Sequence, residues 1–182
     1  MALAPEYAGI WDIDPSHSRL GFSTRHAMVA RVRGAFNGLR GELHLDPESM
    51  PDSAVRVRVD AASIDTRDGN RDNHLRSADF FDVERYPEIT FASTSIDEIE
   101  DDNFIVTGDL TIRDVTRQIS LPLEFVGVER DPMGALRAGV EGSRRIDRKD
   151  WGVSWNTPLD SGGLLVSDKI TLELELSLVK RQ

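Results

Sequence analysis

Asp12, Asp14 and His17 stand close together in the stretch WDIDPSHS (Trp11–Ser18). Two carboxylates and an imidazole at that spacing suit a metal ion or an acid–base pair. Zinc sites declare themselves by HxH or HExxH spacing or by cysteine ligands, and this chain has neither. The same residues suit a turn at Pro15, with Asp14 and Ser16 bonding local backbone groups. We therefore expect no metal. His26 ends an alternating run, Leu20–Phe22–Thr24–His26, and two readings stand for it. It points inward to orient a ligand carbonyl, or it is a hydrogen-bonded core histidine.

The other chemical candidates are weaker. No GxSxG elbow is present, and DSGG (Asp160–Gly163) lacks the wider context of a serine hydrolase. GNRDNH (Gly69–His74) is not a phosphate loop, because it lacks the GK[ST] element. RRIDRKDW (Arg144–Trp151) reads as a solvated turn whose basic residues pair with nearby acids. No catalytic residue is assigned.

The elements that must position these residues are strands. VRVRVD puts Val55, Val57 and Val59 on one face and Arg56 and Arg58 on the other. KITLELELSL sets Ile170, Leu172, Leu174, Leu176 and Leu178 against Thr171, Glu173, Glu175 and Ser177. Period-two patterns with one apolar face belong to half-buried antiparallel strands. Eight strands are expected: Arg19–His26, Arg31–Asp46, Ala54–Ile64, Glu88–Ile96, Asn103–Ile112, Arg117–Val128, Leu136–Ile146 and Val166–Val179. Gly34, Gly38 and Gly41 interrupt the second, as in a strand bent at a barrel corner. The one helix opens near Asn70 as its N-cap, and Pro87 forbids its continuation. Many short antiparallel strands with turn punctuation indicate a sandwich or a barrel. Phe80, Phe81 and Tyr86 would then seal apolar surface at a corner.

The chain has 182 residues, which suits one domain with a core at about residues 10–180. Its net charge of -10 disfavours nucleic acid and anchoring on anionic lipid. No run spans a bilayer and no stable membrane insertion is expected. The N-terminal stretch has no basic region followed by an apolar one, so no secretory signal is read and a cytoplasmic location is expected.

Taken in order, the blocks of the chain resemble the YceI-like, or polyisoprenoid-binding, family from end to end. They are WDIDPSHSRLGFSTRH (Trp11–His26), VRGAFNGLRGELHLD (Val32–Asp46) and RDNHLRSADFFDVERYPEITFAST (Arg71–Thr94). VTGDLTIRDVTRQISLPLEF (Val106–Phe125), IDRKDWGVSWN (Ile146–Asn156) and VSDKITLELEL (Val166–Leu176) follow. The chain departs from the family pattern at Asp114, where Gly is usual, and at Trp151, where Phe is usual. Asp can adopt a left-handed turn. A Trp bordering a cavity would alter ligand length.

The resemblance implies an all-β, lipocalin-like eight-stranded antiparallel barrel with one short helical segment. It implies an apolar interior holding a polyisoprenoid or isoprenoid quinone, homodimers as a common state, and no catalytic activity. On alternation, the expected ligand-contacting residues are Phe22, Phe91, Leu110 and Ile112. Trp151, Val153 and Leu174 join them, with His26 or Arg25 near a head group. Two rival readings stand. One is a barrel enzyme acting on an apolar substrate through His26 and an acid. The other is a stress-linked structural protein whose core is filled.

Overall fold

The computed structural model describes residues 3–182. Its strands are all antiparallel and close into a ring of eight staves, three of which are broken. β1 (Gly9–Ile13) and β2 (Arg19–His26) form one stave, interrupted where Pro15 cannot donate to a ladder. β3 (Ala30–Phe36) and β4 (Leu39–Leu45) form the next, broken at Asn37 and Gly38. β5 (Ala54–Asp60) and β6 (Ile64–Asp65) flank a single 3-10 turn at Ala61–Ser63. The remaining staves are unbroken: β7 (Glu88–Glu100), β8 (Asn103–Ile112), β9 (Val115–Arg130), β10 (Leu136–Asp147) and β11 (Lys169–Lys180).

Closure falls on β11. One edge pairs with β10 throughout; the other pairs with β2 (Leu172 opposite Phe22) and then with β1 (Leu178 opposite Ile13). The expected all-β, eight-stranded antiparallel barrel with one helix is what the chain forms. Closing the sheet removes the exposed edges that an open sheet would present to other chains.

Three local expectations are corrected. β1 was not anticipated, because five residues containing Gly and Asp carry little alternation. The helix, α1 (Gly69–Arg76), is capped by the Asp68 side chain, which accepts from Arg71 N–H, rather than by Asn70. In the β8–β9 hairpin the left-handed residue is Arg113 (φ 56°), not Asp114. With Ile112 paired to Val115, a positive φ at the first central residue makes a turn that Gly would fill at no steric cost.

Candidate functional site

Alternation carries one apolar side chain inward at every second residue. Val55, Val57 and Val59 from β5 face Ile170, Leu172, Leu174 and Leu176 from β11 across the barrel interior. These walls do not meet. They enclose a cavity of about 230 Å³ whose polar wall residues are Thr24, Thr90 and Arg148. A second apolar cavity of about 120 Å³ lies beyond it, under Tyr7, Trp11 and Phe104. Val55, Val106, Leu123 and Leu176 belong to both walls, so the interior is two adjacent chambers with these four side chains at the waist between them. Close-packed cores leave few voids larger than a water molecule. The interior is therefore hollow, which disfavours the filled-core reading.

Two glycines make room for aromatic walls. A methyl on Gly34 would lie 2.5 Å from Phe22 Cζ, and one on Gly108 would lie 2.6 Å from Phe91 Cζ. Each ring lies across the facing strand where any larger residue would collide with it.

The segment after α1 closes the larger chamber. Phe80 is buried, and Phe80, Phe81 and Leu75 all stand on the chamber wall. Phe81 packs edge-on against Phe36, which in turn meets Phe22. Phe80 is backed by Trp155 and His74. This end is held by buried Asp72, which accepts from Thr66 N–H at 2.9 Å and from the Thr66 hydroxyl. Tyr86 does not join the seal. It lies away from the chamber, beneath the guanidinium groups of Arg85 and Arg113.

Among the residues expected to contact a ligand, Phe22, Phe91, Leu110, Ile112, Val153 and Leu174 stand on the wall of the larger chamber. Trp151 and His26 do not. Trp151 is 2 % exposed and packs in the core; its indole N–H donates to Leu110 O at 2.9 Å. Its size thus acts on how β8 meets the turn at Arg148–Trp151, not on the chamber directly. His26 is half-buried at the end of β2, where its backbone bridges to Val166. Arg25 is exposed on the outer face. A histidine–acid pair does form elsewhere, between His74 Nε2 and Asp79 Oδ2 at 2.8 Å, but it lies behind Phe80, outside the wall.

Arg148 was missed by reading its neighbourhood as a solvated turn. It is buried, and it donates to Ser167 O (2.9 Å), Val153 O (2.7 Å) and Val166 O (3.4 Å). Burial pushes its pKa down, while Asp168 and Asp147 oppose the shift. It remains a guanidinium, tying the loop before β11 to the chamber rim. Val166 links this loop to the outside, because it belongs both to the chamber wall and to a surface groove beside Arg25 and Leu164.

The N-terminal acidic residues separate. Asp12 pairs with Arg181 at 2.6 Å, whereas Asp14 bonds the Ser16 hydroxyl, Arg137 and His17. These bonds hold the Asp14 carboxyl well below the usual carboxylate range, the Ser16 hydroxyl contributing most. The cluster fixes the Pro15 break and the start of β10, outside the cavity.

An eight-stave barrel around an apolar cavity defines a lipocalin-like binding-protein architecture. Residues 11–178 match the YceI-like domain, and the chain belongs to that family. A UPF0312 protein of Photorhabdus laumondii is 39% identical over 150 residues, covering 82% of this chain and 77% of the relative. Burkholderia cenocepacia BcnA superposes with a TM-score of 0.79 at 22% identity, over 91% of this chain and 98% of BcnA. A polyisoprenoid binding domain from Saccharophagus degradans, implicated in plant cell wall breakdown, superposes at 0.69 and 16% identity, over 94% and 98% of the two chains. These last two likenesses are of fold.

Proposed function

We propose that the protein binds a polyisoprenoid or isoprenoid-quinone tail within the barrel, as a carrier or store. One observation carries this reading: the paired chambers, lined by branched aliphatic and aromatic side chains with Thr24, Thr90 and Arg148 as their polar groups. An isoprenoid tail has no hydrogen bonds to satisfy, so such a wall is sufficient for it. Water is a poor occupant, because each buried water needs several polar partners.

Magnitudes support a guest. An unfilled apolar void costs about 24 cal/mol per Å³, so the larger chamber alone represents about 5 kcal/mol. That is a large share of the 5–15 kcal/mol by which domains are stable. Burying a CH₂ gains about 0.8 kcal/mol, so each isoprene unit gains roughly 3 kcal/mol before ordering and association costs. The polyisoprenoid binding domain of Saccharophagus degradans, alike in fold, supports this ligand class. A homodimer, expected from family resemblance, is tested separately by light scattering.

Mass spectrometry of an organic extract of the purified protein, beside a mock purification, tests the reading. A stoichiometric prenyl lipid absent from the mock is expected. If the extract contains none and the protein takes up no added polyprenol or quinone of any length, the carrier reading fails.

A further inference from the structure

We infer that the β2–β3 hairpin and its flanking arginine groove dock the barrel onto an anionic lipid surface. Arg25, Arg31, Arg33, Arg67 and Arg71 line one open groove on the outer face of a chain whose net charge is -10. Arg25 and Arg31 are direct cross-strand partners. Like charges placed opposite each other in a ladder are destabilising. Among the described residues, no carboxylate lies within ion-pairing distance of Arg25, Arg31 or Arg33. The acids nearest the groove are otherwise engaged or to one side. Asp65 accepts from Arg67 N–H and Asn37, Asp68 caps α1, and Asp72 is buried on Thr66. Asp168, near Arg25 on the other side, pairs with Lys149 and Arg148. Arg71 reaches Thr66 through its own donors. Asp65 still offsets part of the Arg67 charge, so the uncompensated positive charge of the groove is that of Arg25, Arg31 and Arg33.

The hairpin tip supplies a second, independent observation. Val29 N–H bonds His26 O, and both central residues, Ala27 and Met28, have positive φ (51° and 64°). That is a type I′ turn, which Asn-Gly occupies cheaply and Ala-Met does not. Strained backbone persists where the side chain it presents is needed. Here the presented side chains are apolar. Met28 is 66% exposed, Val29 81%, and Leu164 on the neighbouring loop 43%. Met28 lies over Gly163, so the two loops form one apolar tip beside the arginines.

An apolar tip beside an arginine groove, the two sharing Arg25, matches the boundary between acyl chains and acidic head groups, each cation near such a surface adding to binding. An acidic protein partner would use the groove but has no need of the tip. Net charge does not forbid contact, because charges beyond a Debye length of about 8 Å are largely screened at physiological salt. The tip also lies next to Val166, where the chamber wall reaches the surface.

Vesicle flotation tests this without any ligand, so its result is separable from the carrier reading. The purified protein is mixed with phosphatidylcholine vesicles, with or without roughly one-third phosphatidylglycerol. Binding is expected on the anionic vesicles alone at physiological salt, and it should weaken as salt rises above that. The triple variant Arg25→Gln, Arg31→Gln, Arg33→Gln should lower partitioning by roughly a hundredfold, at about fivefold per arginine, while melting rises because the repulsion between Arg25 and Arg31 is gone. Met28→Ser with Val29→Ser should weaken it independently. Equal binding to neutral vesicles, binding indifferent to both variants, or no binding at physiological salt overturns the proposal. Capture by polyglutamate without vesicle binding also overturns it and assigns the groove to an acidic protein.

Discussion

Arg148 donates to three backbone carbonyls from a site that water barely reaches. Arg148→Met would leave Ser167 O and Val153 O unpaired beside an apolar chamber, each at a cost of about 1–3 kcal/mol, while Val166 O keeps its bond from the Asn156 amide at 2.7 Å. We expect a loss of about 3 kcal/mol, read as a fall in melting temperature of about 10 °C, and a smaller loss for Arg148→Lys. Calorimetry checks both, and equal stability of wild type and Arg148→Met would show that the loop is held by other contacts. Asp14 makes a different prediction. Its carboxyl is depressed in the folded state by Ser16, Arg137 and His17. Its contribution is thus fully present above the ordinary Asp pKa of about 3.9 and is lost as pH falls through the folded value. Asp14→Asn should melt below wild type at neutral pH, with the gap closing as pH drops below about 4. A gap that stays constant down to the lowest pH at which the protein folds would remove the ionic explanation. The turn role of Asp14 is legible in its sequence, and its side chain does accept from Ser16 N–H, but the role of Arg148 is not. RRIDRKDW has the composition of a surface turn, and only the fold buries one of its arginines.

At the scale of the element, legibility followed periodicity. β5 and β11 alternate without interruption, and the faces read as apolar are the faces on the chamber wall. The breaks were harder. Gly34, Gly38 and Gly41 marked a bend within one long strand, and the chain does bend there, but into two strands, β3 and β4. His26 and Trp151 fell on the right elements yet off the wall, since a residue at a strand end or in a 3-10 turn no longer obeys the strand's alternation. The arginine groove was beyond sequence reasoning because Arg67 and Arg71 meet Arg25 only when β6 pairs with β3. The β2–β3 turn gives this scale its prediction. Ala27→Asn with Met28→Gly relieves two left-handed non-glycine positions and should stabilise the protein by about 1–2 kcal/mol. The same variant removes the Met28 side chain and should weaken vesicle binding. A turn variant with raised melting temperature and undiminished binding would leave Met28 without a role at the membrane.

For the whole molecule, the question is how far a tail can travel. The two chambers meet at Val55, Val106, Leu123 and Leu176, contributed by four different staves. No strand pattern marks this waist, because all four residues look like ordinary inward positions. If the barrel holds a prenyl chain, the larger chamber takes the first units and the smaller one takes the end of a longer tail. Leu123→Trp adds bulk at the waist and leaves Phe22, Phe91 and Leu110 on the wall of the larger chamber unaltered in sequence. A farnesyl lipid should bind this variant as it binds wild type. An octaprenyl lipid should lose roughly tenfold or more in affinity, since units excluded from the second chamber forfeit about 3 kcal/mol of gross burial each. Competition between the two lipids in one sample, read by mass spectrometry of the bound fraction, removes differences in solubility. An unchanged ratio would mean that the tail does not pass the waist. Parallel loss of both lipids, with normal melting, would mean that they enter from the Tyr7 end instead.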